Sequence, residues 1–162
     1  MQYISHHEQQ LAFSKTDKPK VNNNEVLVKV AAIGVNRADC MQRQGKYPAP
    51  EGDSPILGLE CAGTVCELGS EVDPKWLGKR IFTLCAGGAY SEYVAVDSQQ
   101  LMILPDHISM AQGAAISEEY LTAYTLAGRF DMILFTPLMA LNVTVSMMIG
   151  QNFGKKQFTI HL

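Results

Sequence analysis

Four glycines, Gly58, Gly63, Gly69 and Gly78, bracket and interrupt one apolar run from Glu60 to Glu67. Glycine stands where the backbone turns tightly or where another strand comes close. A run punctuated in this way reads as a strand in a closely packed pair. The same rhythm continues on both sides. Upstream, Leu11 and Phe13 form a strand that leaves into a polar loop, Lys15 to Lys20, and Val21-Asn22-Asn23-Asn24 is a turn cluster. Glu25 to Val35 then alternates. Val26, Val28 and Val30 share one face, and Leu27 and Lys29 the other, the pattern of a half-buried strand. Downstream, Gly69 to Leu77 turns the chain and Gly78-Lys79-Arg80 leads into Ile81 to Leu84. Gly87-Gly88 turns it again, Tyr90 to Val96 alternates, and Leu101 to Leu104 is a last short strand before Pro105. Short strands at this spacing predict a mainly β barrel or sandwich.

Helices are few. Asn36 caps a short helix through Gln44 with Asp39 in its first turns, and Gly45 ends it. Tyr47-Pro48-Ala49-Pro50-Glu51-Gly52 is loop, because its prolines cannot sustain a helix. After Pro105, Ser109 caps a helix over Ala111 to Ala115. Ser117, with Tyr120 three residues on, opens another through Leu126.

The chain has 162 residues, enough for one domain with a real core. A two-domain cofactor enzyme does not fit in that length, so a motif pointing to one implies an incomplete chain. A net charge of −3 gives no basic footprint and argues against nucleic acid as a partner. The four cysteines, Cys40, Cys61, Cys66 and Cys85, form no Cys-x-x-Cys pair. Three lie in apolar strand-like stretches and read as small buried hydrophobes, reduced in a cytoplasmic protein. Met1 to Gln10 has no apolar run and does not read as a secretory signal.

Residues 58–81, from Gly58-Leu59-Glu60-Cys61-Ala62-Gly63 to Gly78-Lys79-Arg80-Ile81, resemble the medium-chain dehydrogenase/reductase superfamily in its N-terminal, GroES-like domain. Within it, Val35-Asn36-Arg37-Ala38-Asp39 and Gln42-Arg43-Gln44-Gly45-Lys46-Tyr47-Pro48 resemble the zinc-free NADPH:quinone oxidoreductases, the group of zeta-crystallin and tumour-suppressor-inducible quinone oxidoreductase. Ala114-Ala115-Ile116, then Glu119-Tyr120-Leu121-Thr122-Ala123-Tyr124, is similar to the segment entering that family's cofactor domain. The resemblance covers about residues 1–126. It implies a partly open β-barrel with short helices (the alcohol-dehydrogenase-like N-terminal domain). Where the alcohol dehydrogenase branch has zinc-binding Cys and His, this chain has Asn36 and Leu59. Neither is a soft or imidazole ligand, so no metal is expected.

The resemblance also implies roles. Asn36 hydrogen-bonds the acceptor carbonyl or the nicotinamide ribose, and Tyr47 stacks on a flat quinone from the loop beside the cleft. Asn36, Tyr47, Leu59 and Glu60 form the substrate side. Asn36, Arg37 and Thr122 face NADPH, and Arg37, Asp39 and Glu60 order the rim. Asn36 and Tyr47 are the catalytic candidates. Plainer readings stand beside these: Asn36 as an N-cap, Tyr47 as a loop aromatic, Arg37 and Asp39 as a helix-surface pair, Thr122 as a helix-surface residue.

A dinucleotide site needs a Gly-x-Gly-x-x-Gly turn between a strand and a helix. None follows Thr122; Gly87-Gly88 precedes a strand, and Gly150 and Gly154 stand alone. Met132 to Gly154 carries no charge, and Pro137 and Asn142 interrupt it before Lys155 and Lys156. Its first 18 residues, Met132 to Ile149, graze the length of a membrane span. Three readings are open: a segment foreign to the family (the preferred one), an apolar helix packed on the barrel, or a membrane anchor. The expected organisation is a GroES-like substrate-side domain, 1–126, and an apolar tail, 127–162. The expected function is the substrate side of an NADPH-dependent quinone oxidoreductase, truncated and with little turnover alone. The alternative is a non-catalytic isoform that binds a partner or membrane through the tail. The full-length family is often dimeric, and whether this chain pairs is left open.

Overall fold

The structure, a computed structural model, describes residues 1–7, 10–49, 51–118, 120–121 and 123–128. Thr122, most of the expected tail and the uncharged run Met132 to Gly154 lie outside the described residues. The chain divides into two compact units, Met1–Leu121 and Thr122–Leu162. Of the second, residues 123–128 are described and are helical.

The first unit is mainly β. Strands β1 (Gln2–His7) and β2 (Gln10–Lys15) form an antiparallel hairpin. Strands β3 (Glu25–Ile33), β4 (Glu60–Leu68), β5 (Arg80–Leu84), β6 (Tyr93–Asp97) and β7 (Met102–Ile103) form one antiparallel sheet in the order β6-β3-β4-β5-β7. Strands β6 and β7 are its edges, so the sheet does not close and the barrel is partly open. This is the GroES-like architecture implied by the sequence. Two short helices pack with it, α1 (Arg37–Arg43) and α2 (Met110–Ala114), and residues 117–118 and 120–121 are helical as well. Ser109 caps α2 as expected, its hydroxyl accepting from the Gln112 N–H at 3.2 Å.

The glycine pattern has direct physical counterparts. At Gly63 a Cβ would overlap the carbonyl oxygen of Lys29, so β3 and β4 approach as they do only because position 63 has no side chain. Gly58 has φ +105°, and a Cβ there would come within 2.5 Å of the Tyr90 ring.

The sheet is packed on both faces. Val26, Val28, Cys61, Val65, Ile81, Val94 and Val96 point into the larger core. Ala62 and Phe82, one residue along their strands, point to the opposite face, where Leu104, Ala114 and Met110 cover them. Four sequence expectations are corrected here. Leu27, assigned to a half-open face, is only 3% exposed, because the second face is covered as well. Strand β1 was not expected, since its residues are polar. It is held by the backbone ladder of the hairpin and by Ser5 Oγ against Ser14 Oγ at 2.7 Å, not by apolar burial. Leu101 to Leu104 pairs only at Met102 and Ile103, the chain before it being a 3-10 turn at Ser98–Gln100. Cys66 is exposed rather than buried, because residue 66 falls on the outward side of β4.

Candidate functional site

The end of β3, the start of α1 and the start of β4 converge. Gly34, Val35 and Asn36 carry the chain from β3 into α1, and Asn36 holds the N-cap position with extended φ −108° and ψ 162°. Its side chain is turned across to β4, and Nδ2 donates to Glu60 Oε1 at 2.9 Å. Glu60 is 2% exposed. Its second oxygen, Oε2, accepts the backbone N–H of Glu118 at 2.8 Å. Residues 117 and 118 are helical, so the carboxylate sits at a helix start, where unpaired N–H groups favour negative charge. Gly34 makes the room, because a Cβ there would overlap Glu60 Oε1.

A second buried carboxylate lies one turn into α1. Asp39 is also 2% exposed, and its Oδ2 accepts from the Asn36 N–H at 2.8 Å and from the Tyr90 hydroxyl at 3.3 Å. Its Oδ1 is buried without a partner. Burial, and then the charge of Asp39, push the Tyr90 phenol well above its ordinary range. Asp39 is therefore not one of a helix-surface pair with Arg37. Positions two apart on a helix face different ways, and here the acid points inward while the base is exposed.

Of the expected site residues, Asn36 and Glu60 are brought into contact. Leu59 is half-buried beside them, and its carbonyl accepts from the Cys85 N–H at 2.7 Å. Arg37 is exposed as the first residue of α1, and Tyr47 is 48% exposed on the loop after it. Among the described residues no hydrogen bond joins Arg37 or Tyr47 to the Asn36–Glu60 pair. Ser117 is the first residue of its helical stretch, and its buried hydroxyl has no partner, so Glu60 rather than Ser117 receives the Glu118 N–H. Sequence reasoning missed Gly34, Tyr90 and the Glu118 N–H. Tyr90 and Asp39 are separated by 51 residues, and no local pattern links them.

The arrangement is a polar cluster with very little water access. One N–H of the Asn36 amide is committed to a carboxylate, which fixes the amide's orientation, turns its oxygen toward the Asp39 N–H of the capping box and leaves the second N–H for another group. Among the described residues no group of three or more His, Cys, Asp or Glu could hold a metal ion. No helix among them is long and apolar enough to cross a membrane.

This fold is that of a GroES-like domain, and comparison with known proteins gives the family. The alcohol dehydrogenase GroES-like domain matches residues 22–106, just over half of the chain, and the chain belongs to that family, in the quinone-oxidoreductase-like part of the medium-chain dehydrogenase/reductase superfamily. A second family, MatE, matches residues 99–160, most of which lie outside the described residues. The zebrafish (Danio rerio) synaptic vesicle membrane protein VAT-1 homolog is 34% identical over 112 residues, 69% of this chain and 23% of that protein. The human VAT-1 homolog-like protein superposes with a TM-score of 0.70 at 27% identity, covering 78% of this chain and 42% of that one. The Escherichia coli quinone oxidoreductase, solved with NADPH, gives a TM-score of 0.67 at 34% identity, covering 77% of this chain and 39% of that one. The chain thus spans about a quarter of the length of the curated relative and about two-fifths of the solved neighbours.

Proposed function

We propose that this chain is the substrate-side domain of an NADPH-dependent quinone oxidoreductase, with residues 1–126 as that domain and 127–162 as a separate apolar segment. The observation that carries the reading is the Asn36 amide held by the buried Glu60 carboxylate, in a chain 34% identical to a quinone oxidoreductase solved with NADPH.

On this reading Asn36 and Tyr47 meet the quinone, and Leu59 supplies an apolar wall. The free N–H of Asn36 donates to a quinone carbonyl, and its Oδ1 accepts from a ribose hydroxyl of the nicotinamide end. Arg37 is exposed and able to meet the cofactor's negative charge; Thr122, outside the described residues, is a cofactor contact on the family resemblance alone. Glu60 has both oxygens engaged, so it acts as a positioning residue that fixes Asn36 and the helix start at Glu118. NADPH, when bound, supplies the hydride. These residues fit its nicotinamide end, whereas the sequence has no Gly-x-Gly-x-x-Gly turn to receive its phosphates. The chain alone therefore binds quinone and turns over little or none.

Titration of the labelled chain with a fully methylated benzoquinone, which cannot alkylate thiols, tests this. The side-chain amide of Asn36 and the ring of Tyr47 are expected to shift in NMR spectra, and Asn36→Ala to abolish the response. Saturable binding that leaves residues 36 and 47 unmoved defeats the site assignment. Quinone-dependent NADPH oxidation by the purified chain defeats the claim that it lacks turnover.

A further inference from the structure

The four cysteines divide into two exposed thiols, Cys40 and Cys66, and one buried pair. Cys61 on β4 lies opposite Thr83 of β5, and Cys85 follows Thr83 by two residues on the same side of the sheet. Their sulfurs are 3.8 Å apart. A disulfide needs about 2 Å between sulfurs, so closure requires an approach of roughly 1.8 Å. Cys85 is placed to supply it. It lies past the end of β5 and leads into Ala86-Gly87-Gly88, where Gly87 and Gly88 have φ +127° and +91°. Cys61 has no exposure, but Cys85 lines a cavity of about 420 Å³ with the Gly52–Ser54 loop and Gly87. That cavity brings open space up to Cys85, the member of the pair that a small solute would meet first.

We infer that Cys61 and Cys85 are a modification site, forming a reversible intramolecular disulfide with a small two-electron oxidant such as hydrogen peroxide. The Cys85 sulfur, as thiolate, attacks one peroxide oxygen; the O–O bond breaks, a sulfenic acid forms and hydroxide leaves to become water. The Cys61 sulfur then displaces the hydroxyl from the sulfenic sulfur, the S–S bond forms and a second water leaves. Two thiols are oxidised by two electrons in all, one peroxide is reduced, and both thiol protons end in water. The bond ties β4 beside Glu60 to the chain that runs on to Tyr90, whose hydroxyl rests on Asp39. The hydrogen bond with Cys61, burial and nearby negative charge hold the Cys85 thiol well above its ordinary range. Only a small fraction is thiolate at neutral pH, so closure is slow and speeds up as pH rises.

The full chain carrying Cys40→Ser and Cys66→Ser is treated with millimolar hydrogen peroxide, denatured in N-ethylmaleimide and weighed intact. The expected product is about 2 Da lighter, takes up no maleimide, regains two thiols on reduction and yields a peptide cross-linked from 61 to 85. The rate is expected to rise about tenfold per pH unit between about pH 7 and pH 9. Cys85→Ser should abolish the cross-link. Retention of two alkylatable thiols, or accumulation of sulfinic acids without the cross-link, overturns the inference. Peptide mapping of the oxidised, unsubstituted chain requires no variant: the 61–85 peptide is expected, and a cross-link through Cys40 or Cys66 in its place also overturns the inference.

Discussion

Glu60 and Cys61 are neighbours on one strand and live in opposite worlds. Cys61 points into a face built from valine, isoleucine and alanine side chains, where stability is non-directional and scales with area removed from water. Glu60 points to the face that carries α2, and is held there by two donors and by the missing side chain of Gly34. The first face should respond to mutation in proportion to volume lost. The second should respond to the loss of single atoms, because a buried donor without an acceptor costs its full desolvation.

The variants that separate the faces follow from the largest expected effect. Glu60→Ala strands the Asn36 amide and the Glu118 N–H and leaves a cavity, and should cost about 4 kcal/mol in urea unfolding. Ile81→Ala, with Ile81 fully buried, should cost about 3 kcal/mol on the apolar face. The near-isosteric pair sharpens the contrast. Glu60→Gln keeps one acceptor oxygen and sets its amide N–H against the other of the two donors, Asn36 or Glu118, and should cost about 2 kcal/mol, whereas Ile81→Val should cost about 1 kcal/mol. If Glu60→Gln proves the milder of those two, the contrast between the faces is broken.

Tyr90→Phe should cost about 1 kcal/mol at neutral pH by removing the hydroxyl from Asp39. Its pH dependence carries a sign. The folded state holds the Tyr90 proton more tightly than the unfolded chain does. That contribution is therefore intact below about pH 10 and is lost as pH rises through the folded value. Stability against pH should fall more steeply above pH 10 in the parent than in Tyr90→Phe, read from alkaline unfolding curves. At the small end, Lys18 Nζ lies 4.0 Å from the centre of the Tyr93 ring, and Lys18→Ala should cost about 0.5 kcal/mol.

Much of the first face was legible in the linear chain. The alternation in β3 and β6 has a fixed period, and a period-two pattern reports which side chains share a side, while the glycines around β4 mark where the backbone turns or another strand comes close. The cap at Ser109 was equally local, a hydroxyl reaching three residues along. The polar cluster was legible only in part. Asn36 and Glu60 stand out through the family resemblance, whereas Asp39 reads from the sequence as a surface residue. The hairpin strand β1 was not legible, since a strand held by backbone pairing needs no apolar alternation.

What the sequence determined by itself was thus the set of short strands, their turns and the family to which their spacing belongs. These depend on interactions within a few residues, where propensity and periodicity act directly. Only the tertiary structure decided that Leu27 is covered, that Glu60 serves Asn36 and a helix start 58 residues away, that Tyr90 rests on Asp39, and that two of four cysteines are neighbours. Each of those contacts joins groups far apart along the chain. Their partners are chosen by which faces of the sheet are brought together, and no local pattern carries that information.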